Sequence, residues 1–236
     1  MRNNVKIVAV TKTLNEERNI ENFCRGYDFA DAILVADGGS TDRTVELAQR
    51  FDNVEVRNFP LRIEMPGDPA GFMNPEPQHI NFVIDWAIEE KADWICLDGA
   101  DCWPNPRLRL EARTIVEEVT EPMIYVYRLY IWGQDQYFPK YNKSGQSLWA
   151  WRPEIVNIRS DEPRGRISCF NTPMVGMKGP RQTLKPPYVC LHYFCPDEET
   201  VQMKMARYAA WGYPQVHQLK SIYAPPEPLP EWVLKE

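Results

Sequence analysis

Four acidic side chains stand where apolar runs of the chain stop. Glu16 follows Val5–Val10 and the polar Thr11-Lys12-Thr13, Asp37 follows Ala32–Ala36, and Asp98 and Asp101 follow Trp94–Leu97. Each run has the length and composition of a buried strand. In an open α/β sheet ligands bind in the crevice beyond the carboxyl ends of the strands, so the spacing brings these acids to one sheet edge. A nucleotide base, its ribose and a metal-bound diphosphate could sit there in sequence. A diphosphate does not approach carboxylates unaided. A divalent Mn²⁺ or Mg²⁺ held by Asp98 or Asp101 would reverse the local charge, grip the phosphate oxygens and stabilise a departing nucleotide. Taken singly, each residue has an ordinary structural role: Asp and Gly form turns, and Asn15 and Glu16 cap a helix. Only their convergence points to a site.

The elements that must position these residues can be read from periodicity. Val5–Val10, Ala32–Ala36 and Val54–Arg57 read as strands, separated by helices starting near Asn15, an expected N-cap, and running from about Asp42 to Phe51. Strand, helix, strand, helix, strand argues for a parallel sheet with right-handed crossovers. Gly38 and Gly39 could cradle a phosphate on the following helix N-terminus, although the spacing is neither GxGxxG nor a P-loop. The segment 58–77, rich in proline and glycine, is expected to form a long loop or lid. Helices are expected over 78–91 and 106–119, on either side of the Trp94–Leu97 strand, and a strand over 123–132. Beyond Gly133 the periodicity is poor, with short strands expected at 148–152 and 155–158 and a last one at 188–194 carrying His192. Asp197-Glu198-Glu199 then open a helix to about Ala210. The reading is one α/β domain over 1–236: a nucleotide-binding half over about 1–120, an irregular half over about 121–223 and a proline-rich tail from 224.

Composition narrows the function classes. Lysine and arginine number 27 against 33 acids, a net charge of -6 with no basic block, which disfavours a nucleic-acid binder. The six cysteines include no CxxC pair and read as reduced thiols of a cytoplasmic protein; zinc on Cys190, Cys195 and His192 lacks a fourth ligand at suitable spacing. No apolar run approaches the ~20 residues of a membrane span, and peripheral contact through the many aromatics is the remaining membrane expectation.

Three blocks in order, TLNEERNI (13–20), ILVADGGSTDRT (33–44) and WICLDGAD (94–101), resemble the family 2 glycosyltransferases, inverting enzymes of the GT-A fold. The resemblance implies a Rossmann-like, mostly parallel sheet flanked by helices, and a sugar moved from a nucleotide-diphosphate donor to a carbohydrate or glycolipid acceptor in polysaccharide biosynthesis. It assigns Asp37 to the donor base and Glu16, with Thr13, Asn15 and Gly38 around it, to the base or ribose. It gives the metal to the Asp98 region, where two residues separate the aspartates in place of the usual one. LHYFCPDEETVQMKMARY (191–208) is similar to a later segment in some members, with His192 toward the metal and Lys204 and Arg207 toward phosphate. Inversion needs a base that takes the acceptor hydroxyl's proton. Asp135, Asp161 and Glu162 are the candidates, and Trp149, Trp151, Tyr137 and Tyr141 could stack on sugar rings. A nucleotidyltransferase, and a non-catalytic nucleotide- or carbohydrate-binding module, are the competing classes.

Overall fold

Burial of the apolar runs on both faces makes them the centre of a sheet. A computed structural model describes residues 5–68, 71–139, 146–160, 174–194, 197–210 and 225–235. The N-terminal part runs β1 (Ile7–Thr13), α1 (Ile20–Gly26), β2 (Ala32–Asp37), α2 (Thr44–Ala48) and β3 (Val54–Asn58). A short hairpin of β4 (Ile63–Glu64) and β5 (Phe72–Met73) then leads to α3 (Glu76–Glu89), β6 (Trp94–Leu97), β7 (Cys102–Pro104) and α4 (Pro106–Glu118). The remainder consists of β8 (Met123–Trp132), β9 (Gln136–Tyr137), β10 (Gln146–Trp151), β11 (Arg159–Ser160), β12 (Met174–Val175), β13 (Gln182–Thr183), β14 (Val189–His192), α5 (Glu198–Ala210) and β15 (Glu227–Pro228).

β3, β2, β1 and β6 lie side by side and parallel, the arrangement the strand–helix alternation predicts. β10 joins antiparallel between β6 and β8, and β8 takes β14 alongside it in parallel. One face of the sheet packs Ile7, Ala9, Ile33, Val35 and Cys96 under α1, α2 and α4; the other packs Val8, Val10, Leu34 and Ile95 under α3. This in-and-out alternation on strands that are apolar throughout marks a sheet covered on both sides. The class is therefore the expected one, an α/β sheet of the GT-A type flanked by helices. Among the described residues no helix is long and apolar enough to cross a membrane.

Three local expectations change. Asn15 is not an N-cap: it adopts φ 56°, and α1 starts at Ile20 after a turn whose Asn19 and Ile20 amides donate to the Glu16 carbonyl. The 58–77 segment is not structureless, since β4 and β5 pair within it and α3 begins inside it at Glu76. Residues 155–158 form no strand; Val156 and Ile158 are buried in irregular backbone, and the pairing falls on β11 with β12. Trp149 and Trp151 are fully buried core residues and have no face for a sugar. Tyr137 lies in β9, and Tyr141 falls outside the described residues.

Candidate active site

The loops that close β1 and β2 are fastened to each other. Asn15 Oδ1 accepts from the Thr41 amide at 2.8 Å, and the Asn15 amide donates to Ser40 Oγ at 2.9 Å. The Glu16 amide donates to Thr44 Oγ1 at 2.7 Å and the Glu17 amide to Asp42 Oδ2 at 3.1 Å. Asp37 is 5% exposed and accepts from the Gly39 and Ser40 amides, the Ser40 hydroxyl and Thr13 Oγ1. A side chain at Gly38 would place Cβ 1.8 Å from Asn74 Nδ2 and 3.1 Å from the Thr13 carbonyl, so it would have to displace Asn74 and crowd the β1 backbone. The TLNEERNI and DGGSTD blocks thus build one hydrogen-bonded clasp. Thr13 and Glu16 face a cleft of about 660 Å³ beyond the strand ends; Asn15, Asp37 and Gly38 do not line it.

The two aspartates after β6 have different surroundings, although both contribute to the cleft wall. Asp98 is 3% exposed. Arg128 of β8 pairs with its Oδ1, while the Tyr27 hydroxyl donates to Oδ2 and the Cys190 thiol lies 3.7 Å from that oxygen. Both carboxylate oxygens therefore already have partners. Burial pushes the Cys102 thiol well above its usual range and raises that of Cys190, so both stay protonated beside Asp98.

Asp101 faces the open side. Its Oδ2 lies 3.2 Å from Lys204 Nζ on α5 and its Oδ1 lies 3.5 Å from His192 Nε2 at the end of β14. Burial opposes its ionisation, but Lys204 and His192 outweigh burial and hold the carboxyl well below the usual carboxylate range. Glu16 is pushed the other way, by burial first and then by the charge of Asp101. Lys204 also rests 4.0 Å over the Phe194 ring, and Lys12 pairs with Glu76 at 3.0 Å. Gly99 keeps this arrangement open, because a Cβ there would fall 2.7 Å from Asp101 Oδ1.

A divalent cation suits one of these sites better than the other. The ligand atoms of Asp98, Cys102 and Cys190 lie within 4.8 Å of one another. Two protonated thiols and a carboxylate tied to an arginine nevertheless make a poor set for a hard cation. Asp101 Oδ1 and His192 Nε2 are close to the roughly 3 Å that separates adjacent ligands of an octahedral Mg²⁺ or Mn²⁺. His192 Nδ1 is buried without a hydrogen-bond partner, and its ring packs against Tyr130 and Phe194, which fixes Nε2 toward Asp101.

The other sequence-derived candidates divide clearly. Lys204, Arg207, His192 and Glu16 meet around Asp101 in the cleft. Asp135 is exposed in the turn between β8 and β9 and does not line it, whereas Asp161 and Glu162 lie outside the described residues. Arg128, Tyr27, Lys12 and Glu76 were not anticipated. Arg128 did carry a signal, being the one charged residue in the apolar run Met123–Trp132, where a buried charge needs a partner.

This fold is shared with TarS of S. aureus. S. aureus TarS, residues 1–349 in complex with UDP, superposes with a TM-score of 0.52 at 13% identity, over 91% of this chain and 68% of that one. A longer TarS structure gives 0.50 at 12%, and this chain spans only 44% of its length. Glucosyl-3-phosphoglycerate synthase from Mycobacterium tuberculosis, in complex with Mn²⁺, UDP and glucosyl-3-phosphoglycerate, aligns over 89% of this chain at 18% identity and a TM-score of 0.45. No family profile matches the sequence, and comparison with curated proteins gives no match.

Proposed function

We propose that this protein is a metal-dependent, inverting glycosyltransferase that moves a sugar from a nucleotide-diphosphate donor to a carbohydrate or glycolipid acceptor. The observation that carries the reading is the Asp101 cluster: a carboxylate and an imidazole 3.5 Å apart, flanked by Lys204 and Arg207, in a cleft at the carboxyl ends of parallel strands. The shared fold with TarS and the three sequence blocks support it. Asp101 and His192 would hold Mn²⁺ or Mg²⁺. A bound divalent cation would neutralise the diphosphate and stabilise the charge on the departing nucleoside diphosphate. Lys204, released from Asp101, would carry its ammonium to a phosphate oxygen, with Arg207 beside it.

Thr13 and Glu16 would line the base and ribose end. Asn15, Asp37 and Gly38 would act there through the clasp that sets the position of those two residues. Asp98 would support the site by holding Arg128, and it becomes a metal ligand only if it exchanges that arginine for the cation. Asp161 and Glu162, directly after β11, are the proposed alternatives for the base that deprotonates the acceptor hydroxyl.

Product identity tests the reading against a nucleotidyltransferase and a binding module. Incubation with a panel of nucleotide-sugars and Mn²⁺, followed by phosphorus NMR, is expected to show nucleoside diphosphate released from at least one donor. Formation of nucleoside triphosphate and sugar 1-phosphate when inorganic pyrophosphate is added to the nucleotide-sugar would mean nucleotidyl transfer, and tight binding without turnover of any donor would mean a module.

A further inference from the structure

Arg128 has more hydrogen-bonding capacity than its partner uses. A guanidinium carries five N–H donors in a rigid fork. Here Nη2 is engaged with Asp98, and Nε is buried without a partner. The side chain is 23% exposed, and the exposed part is in the cleft. A mostly buried arginine anchored by a buried carboxylate, with part of its side chain open to a cavity, is suited to receive an oxyanion.

Its place in the cleft separates that oxyanion from the donor diphosphate. Arg128 pairs with Asp98, whereas Lys204 and His192 pair with Asp101. Beside Arg128 the cleft wall passes to Gln146 and Ser147 of β10, which belong to the second half of the chain. We propose that the acceptor bears an anionic group, a phosphate or a carboxylate, and that Arg128 binds it. Asp98 acts through Arg128 as a positioning residue. This inference rests on the transferase reading above, since it takes the Asp101 end of the cleft to be occupied by the donor.

The test uses glycerol phosphate, glycerate and glycerol as probes, titrated by NMR into the protein saturated with UDP and Mn²⁺. Glycerol phosphate or glycerate is expected to bind at least tenfold more tightly than glycerol, and which of the two binds better identifies the anion. Arg128→Met is expected to lose that preference while its UDP affinity changes less than twofold. Because Arg128→Met leaves Asp98 without its cation, Arg128→Lys is measured beside it. Lysine keeps the charge without the fork, and a loss of about threefold or more in anion affinity is expected. Equal binding of glycerol and the anions to the wild type, or anion binding unchanged in both variants, overturns the proposal. Loss of UDP affinity in the Arg128 variants also overturns it, by assigning the arginine to the donor. Failure of the wild type to bind UDP at all would instead remove the transferase reading.

Discussion

Asp98 and Asp101 are three residues apart on one strand end and have opposite fates. Asp98 is enclosed by Tyr27, Arg128 and Cys190, elements drawn from α1's end, β8 and β14, so its contacts tie the molecule together. Among the described residues the Asp101 carboxylate pairs with two groups at the cleft, a lysine on α5 and a histidine at a strand end. The turn between them, Gly99-Ala100, is what lets two carboxylates so near in sequence face different surroundings. A pair of aspartates in a motif can therefore differ in role, one tied into the wall and the other open to the cleft.

That division is open to attack by substitution. The largest effect is expected from Asp98→Ala. It leaves Arg128 buried and unpaired, which costs about 3–5 kcal/mol and should lower the urea midpoint with an unchanged slope. Asp101→Ala should lower the midpoint by less than Asp98→Ala, yet reduce donor turnover by about 10²–10³-fold, the scale of losing one preorganised charge-stabilising group. Equal stability losses in the two variants would erase the distinction drawn here. Tyr27→Phe removes one hydrogen bond from Asp98 and should cost about 1–3 kcal/mol, read by the same unfolding curves. Gly99→Ala should disturb only the Asp101 side, because the added Cβ meets Oδ1 at 2.7 Å; about a tenfold loss of turnover with little change in stability is expected.

Acid sensitivity should come from neither aspartate alone. His79 is buried, with Nε2 2.8 Å from the Ala36 carbonyl and its ring stacked on Phe59; burial and then Lys12 lower its pKa to about 4. An unfolded histidine titrates near 6.5, so the unfolded state takes up the proton first as pH falls. Stability from this source is complete above about pH 6.5 and is lost progressively toward pH 4, by about 3 kcal/mol. His79→Gln should flatten that part of the stability profile, measured by urea unfolding at several pH values. The depressed Asp101 carboxyl acts lower, its contribution being present above the usual carboxylate range and lost as pH falls below it.

The regular half of the fold was legible because its signals are local. Apolar runs ending in Gly, Asp and Asn place β1, β2, β6 and the edge on which they end, and Asn105 before Pro106 starts α4 with its side chain accepting from the Leu108 amide. The partners that decide each carboxylate's role were not legible, since Tyr27 and Arg128 lie 71 and 30 residues from Asp98. Asn15 shows the same limit. As a sequence feature it looks like a cap, whereas its left-handed backbone and its bond to Thr41 depend on a loop 26 residues away. Trp149 and Trp151 could by type be core residues or stacking platforms for a sugar, and the placement of β10 in the middle of the sheet makes them core.

The most direct test of the account is calorimetric titration of UDP in the presence and absence of Mn²⁺, on the wild type and on Asp101→Asn. Binding to the wild type is expected to strengthen at least tenfold with Mn²⁺, and Asp101→Asn to lose that enhancement while its urea midpoint falls less than that of Asp98→Ala. An Asp101→Asn protein that keeps the full Mn²⁺ enhancement would contradict the account.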